Sequence, residues 1–77
     1  MNVLITGASG RVGRAVRRAL AGHHTLRLLD IVPIEHPEGE FILGGVTDRA
    51  LVREVVKGMQ GVIHLAFGKG EDAPGSP

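Results

Sequence analysis

The spacing of apolar positions changes character as the chain proceeds from Asn2 to Asp30. Val3, Leu4 and Ile5 form an unbroken apolar run rich in β-branched side chains, which predicts a strand buried on both faces of a parallel sheet. From Arg11 the apolar residues Val12, Val16, Ala19 and Leu20 recur at helical spacing. This predicts an amphipathic helix with Arg14, Arg17 and Arg18 turned to solvent and Gly22 closing its C-terminal end. "TLRLLD", Thr25 to Asp30, predicts a second strand, reached through the short connection His23-His24.

Ile31 to Glu40 carries two prolines, a glycine and three glutamates, which suits a loop and no regular element. Phe41 to Leu43 predicts a brief third strand. Thr47 or Asp48 can cap a second helix, with Leu51, Val52, Val55, Val56 and Met59 as its apolar face and Gly58 or Gly61 as its end. Val62 to Ala66 predicts a fourth strand. The glycine, proline and charge content from Gly68 onward predicts a flexible tail, so residues 1–67 are the expected domain and residues 68–77 the tail. Strands alternating with helices imply an α/β fold on a parallel sheet with right-handed crossovers.

Composition narrows the functional classes. Seventy-seven residues make one domain with a thin core. A chain 43% hydrophobic and 22% charged is globular, and it contains no apolar run of the ~18 residues a membrane span needs. A net charge of +1 gives no general attraction to nucleic acid or anionic membrane, and the helix arginines read as a solvated face balanced by eight acids. With no cysteine and no basic, apolar leader at Met1, a cytoplasmic setting is expected. His23, His24, His36 and His64 lack metal-ligand spacing, and His64 reads as a satisfied core histidine; no metal site is expected. The only serines, Ser9 and Ser76, form no nucleophilic constellation.

The candidate chemistry lies in "TGASGRVG". Gly7, Gly10 and Gly13 stand between a strand and a helix, where unpaired N–H groups and the helix dipole suit a phosphate. One glycine permits the sharp turn, another the close approach of a pyrophosphate, and the third close packing of helix on strand. Ser9 is a candidate phosphate donor. An acid about 20 residues on, at the end of the second strand, would take ribose hydroxyls. Asp30 is seventeen residues beyond Gly13 and ends that strand.

With its glycine turn, "LLD" and "VIHLA", the chain resembles the extended short-chain dehydrogenase/reductases of the nucleotide-sugar epimerase and dehydratase type. The resemblance implies a partial Rossmann-like sheet of order 3-2-1-4 that binds NAD. It implies that Gly7, Gly10 and Gly13 form the pyrophosphate turn, with backbone from Arg11 and Val12, and that Asp30 accepts the adenosine ribose beside Ile31. Val46 would contact adenine, Leu65 and Ala66 would approach the cofactor, and Lys69 would reach the diphosphate. The chain departs from the pattern at Gly45, where an acid commonly reaches adenine, and at Phe67, where a small residue is usual. The family's Tyr-x-x-x-Lys pair finds no match, because the chain has no tyrosine.

These readings lead to an NAD-binding portion that does not turn over alone. The alternatives are a subunit of a split oxidoreductase or epimerase completed by another chain, and a structural or regulatory module of the same fold. Two helices are few for both faces of a sheet, so those of Val3, Ile5, Val62 and Ile63 that lack a covering helix are expected to meet water. Pairing as a homodimer or with a complementing chain through the fourth strand is the corresponding expectation.

Overall fold

The computed structural model describes residues 1–66; the expected tail, Phe67 and Lys69 lie outside the described residues. The elements run β1 (Asn2–Thr6), α1 (Arg11–Leu20), β2 (Thr25–Asp30), β3 (Glu40–Leu43), α2 (Arg49–Val55) and β4 (Gly61–His64). The four strands pair in parallel in the order β3-β2-β1-β4, as expected from the sequence.

The burial on both faces expected of Val3 to Ile5 is found there, and β2, read only as a second strand, shares it. Leu28 and Leu29, successive residues of β2, are both fully buried, Leu28 with Val3, Ile5, Ala8 and Leu26 on one face and Leu29 with Leu4 and Val55 on the other. Val16 and Leu20 of α1 pack on the first face. Leu51 of α2, Val46 and Met59 pack on the second. Asp48, not Thr47, caps α2: its carboxylate accepts the Leu51 N–H at 3.1 Å. The helix ends before Gly58, whose φ of +79° suits a residue without a Cβ, while Gly61 begins β4. Val56 is more exposed than the expected apolar face required, since it already lies past the last helical residue.

Val3 and Ile5 are buried, because α1 covers them; among Val3, Ile5, Val62 and Ile63 the exposed member is Val62, 53% exposed on the edge strand. Other expectations are corrected. Along α1 the buried stripe runs through Gly13, Val16, Arg17 and Leu20, one residue away from the Val12, Val16, Ala19 and Leu20 pattern, so Val12 and Ala19 are exposed. The helix is rotated because Gly13 is the point where it touches the turn. Arg17 is therefore buried, and its Nη1 donates to Glu38 Oε1 at 2.9 Å. His64 is exposed, not a core residue, because β4 is an edge strand paired to β1 alone.

Candidate functional site: the glycine turn and the ends of the strands

The parallel strands bring their C-terminal ends to one side of the sheet, and the turn after β1 is built there. Gly7 has φ +70°, and a Cβ on it would come within 2.7 Å of Ala66 N and of the Leu65 carbonyl carbon. The turn is thus pressed against the end of β4, which places Gly7 beside Leu65 and Ala66. A Cβ on Gly13 would lie 2.5 Å from the Gly7 carbonyl oxygen and 2.6 Å from that of Ala8, so this glycine lets α1 close onto the turn. Gly10 differs from both. Its φ is −71°, and the nearest atom to an added Cβ is the Gly7 oxygen at 3.6 Å, an ordinary contact. The fold requires glycine at 7 and 13 and makes no such demand at 10, where the bare backbone is open to a ligand.

Gly10 is also the N-cap of α1 and supplies no side-chain cap, and the first turn holds no acid. The first helical bond is from Arg14 N–H to the Gly10 carbonyl, at 2.8 Å, which leaves the N–H groups of Arg11, Val12 and Gly13 without helical acceptors. A helix start of this kind suits an anionic group.

Asp30 stands beside it. Ser9 N–H donates to Oδ2 and Val32 N–H to Oδ1, each at 3.0 Å. Burial by itself pushes the Asp30 carboxyl up, but the N–H groups of Ser9 and Val32, with the Ser9 hydroxyl and the Ile31 N–H, outweigh it and hold the carboxyl below its ordinary value. Each carboxylate oxygen accepts one short N–H bond, Oδ2 from Ser9 and Oδ1 from Val32, with the Ser9 hydroxyl and the Ile31 N–H as further donors to the same group. Ser9 therefore acts first through its backbone, toward Asp30.

Ile31 is exposed next to Asp30, and its Cγ2 lies 3.4 Å from where a Gly45 Cβ would stand. Val46 is half-buried against the Leu4 and Leu29 cluster, so β2 and β3 deliver Ile31, Gly45 and Val46 to the same end of the sheet. Sequence reasoning missed two features. An open cleft of about 760 Å³ beside the turn is lined by Arg11, Arg14 and Arg18, which are exposed as expected, together with Val32 and His36. The other is a contact between Thr6 and His64: Oγ1 and Nδ1 are 2.6 Å apart. A signal was available in the sequence, since Thr6 and His64 are the first polar residues after the apolar runs Val3–Ile5 and Val62–Ile63 of the two strands, and the register pairs them.

A parallel sheet turning through glycines into an uncapped helix, with a carboxylate at the next strand end, is the architecture of Rossmann-type dinucleotide-binding proteins. Within that class the chain belongs to the NAD dependent epimerase/dehydratase family, whose model matches residues 3–74. It is 38% identical to an NAD-dependent glucose-6-phosphate dehydrogenase of Haloferax volcanii over 94% of this chain and 30% of that protein. It is also 38% identical to a uronate dehydrogenase of Pseudomonas putida, over 82% of this chain and 25% of that one. The fold superposes on a mutant uronate dehydrogenase of Agrobacterium tumefaciens solved with NAD, with a TM-score of 0.79 and 34% identity, covering 91% of this chain and 28% of that chain. The chain thus spans less than a third of the length of each of these relatives.

Proposed function

We propose that the chain is an NAD-holding portion of a dehydrogenase or epimerase acting on a sugar, a sugar acid or a nucleotide sugar. In this reading the pyrophosphate lies over the open backbone at Gly10 and the free N–H groups of Arg11 and Val12. Asp30 receives the adenosine ribose hydroxyls. Ile31 and Val46 flank the adenine, Leu65 and Ala66 border the cofactor where the turn meets β4, and Lys69 is assigned to the diphosphate. NAD, when bound, supplies the hydride acceptor; these residues bind and orient it.

The observation that carries the reading is Gly10, a bare backbone position at an uncapped helix start that the fold itself does not require to be glycine. Isolated, the chain is expected to bind without turnover, because it offers no tyrosine to act as the acid/base of the family pair. Calorimetric titration with NAD, NADP and ADP-ribose tests this, with Gly10→Val as the control. No heat of binding from NAD or ADP-ribose would overturn it. The exposed edge strand β4 favours a second reading, in which a further segment or another chain extends the sheet and supplies the catalytic groups. We place the working protein in the cytoplasm, in line with its NAD chemistry.

A further inference from the structure

We infer that His64 is a positioning residue of the dinucleotide site: in its Nε2–H form its Nδ1 accepts a hydrogen bond from the Thr6 hydroxyl and thereby fixes Leu65 and Ala66 against Gly7. This rests on the proposal that the glycine turn holds NAD. Thr6 and His64 are register partners in the parallel pair of β1 and β4, so their side chains share a face of the sheet. Thr6 is 5% exposed, and a hydroxyl so placed needs partners.

The partners are present on both sides of the oxygen. Leu65 N–H is shared between the Thr6 carbonyl at 3.0 Å and Oγ1 at 3.2 Å, and Ala66 N–H points to Oγ1 at 3.5 Å. A hydroxyl has two acceptor sites and one proton. With N–H donors on the acceptor side, the hydroxyl donates to His64 Nδ1 at 2.6 Å, which must then be unprotonated. The imidazole therefore carries its proton on Nε2. Rotation of the Thr6 hydroxyl is locked, and its lone pairs stay aimed at the two amides that border Gly7. These amides belong to the residues whose backbone a Cβ on Gly7 would strike. A side chain exposed on the sheet edge thus sets the backbone of the turn, through one buried hydroxyl.

The test combines imidazole ¹⁵N spectra with NAD titration of the wild type, His64→Leu, His64→Asn and Thr6→Val, each checked for folding by circular dichroism. The wild-type spectrum should show Nδ1 unprotonated. His64→Leu and Thr6→Val should each weaken NAD binding about tenfold, the loss of one well-placed hydrogen bond, and the double variant should lose no more than either. His64→Asn places an acceptor at the δ position and should bind within about twofold of the wild type. A proton on Nδ1, or a His64→Leu variant that binds as tightly as the wild type, overturns the inference. If the wild type does not bind NAD, the site reading fails, and the Leu65 and Ala66 amide resonances decide the positioning separately. They should shift in His64→Leu and hold in His64→Asn; unchanged resonances in both variants refute it.

Discussion

The Ser9 N–H donates to Asp30 Oδ2 at 3.0 Å, closing the glycine turn onto the end of β2 across 21 residues of chain. This bond leaves the Asp30 carboxylate charged and oriented. Ribose hydroxyls are welcome there and a 2′-phosphate is repelled, so NAD should be preferred over NADP. Asp30→Asn should weaken NAD roughly tenfold, the scale of a hydrogen bond to a charged group. It should also narrow the gap to NADP, since Arg11 and Arg14 line the neighbouring cleft. Equal binding of NAD and NADP by the wild type, unchanged in Asp30→Asn, would refute this.

The same carboxylate sets a pH dependence of stability. Its folded-state pKa lies below the ordinary value of 3.8, so the folded chain holds the ionised form more tightly than the unfolded chain does. The stabilisation is present above the unfolded value and is lost as pH falls through the folded one. Urea titrations at a series of pH values below about 5 should show a loss of stability in the wild type that is smaller in Asp30→Asn. Parallel profiles for the two proteins would show that the N–H bonds of Ser9 and Val32 do not favour the ionised form.

The three glycines should separate by role. Gly7→Ala and Gly13→Ala force a Cβ against backbone atoms at 2.9 Å or less, with positive φ as an added strain at Gly7, and should lower the thermal midpoint clearly. Gly10→Ala meets nothing closer than 3.6 Å and should leave the midpoint within a degree or two of wild type while weakening NAD. A Gly10→Ala variant that binds NAD normally would remove the main support for the site.

How legible these features were follows from the range of the interactions behind them. The strands and both helices were readable because they rest on local periodicity, whereas the strand order and the pairing of the glycine turn with Asp30 came from the resemblance and the spacing of its motif. The rotation of α1 was not readable, because Val16 and Leu20 fit either stripe, and the choice that turns Arg17 inward and Val12 outward is made by Gly13, four residues before Arg17, lying against Gly7 and Ala8. The burial of Arg17 depends on where the irregular segment 31–39 lies, and no periodicity describes a loop. For His64 the apolar neighbours Ile63 and Leu65 suggested a core position, but exposure was decided by the edge.

The Arg17 and Glu38 pair makes the loop's position testable. Arg17 is 7% and Glu38 25% exposed in their side chains, and the buried Arg17 Nε has no partner among the described residues. A guanidinium already short of one bond loses its counter-charge in Glu38→Ala, which should cost about 1 to 3 kcal/mol, less than a fully buried pair because Glu38 is partly solvated. Arg17→Met removes the charge and keeps the apolar stem, and should cost less than Glu38→Ala. Denaturant midpoints that rank the two variants the other way would mean that the loop does not close over α1.

The last prediction concerns the edge of the sheet. Among the described residues β4 pairs with β1 alone, and no charged residue or proline interrupts Gly61 to His64. Val62 is 53% exposed there, while the sheet interior behind it is closed by Leu4, which is 1% exposed. Bare N–H and C=O groups beside an apolar side chain are a template for another strand. With apolar burial worth roughly 25 cal/mol per Å², even a few hundred Å² covered by a partner strand would add several kcal/mol, comparable with the stability of so small a domain. We therefore expect concentration-dependent association through β4, as a homodimer or with a complementing segment, and a clear weakening in Val62→Lys, which places a charge on that edge. Sedimentation velocity from low to high micromolar concentration measures it directly. A folded monomer throughout, the same for wild type and Val62→Lys, would show that the edge is protected in some other way.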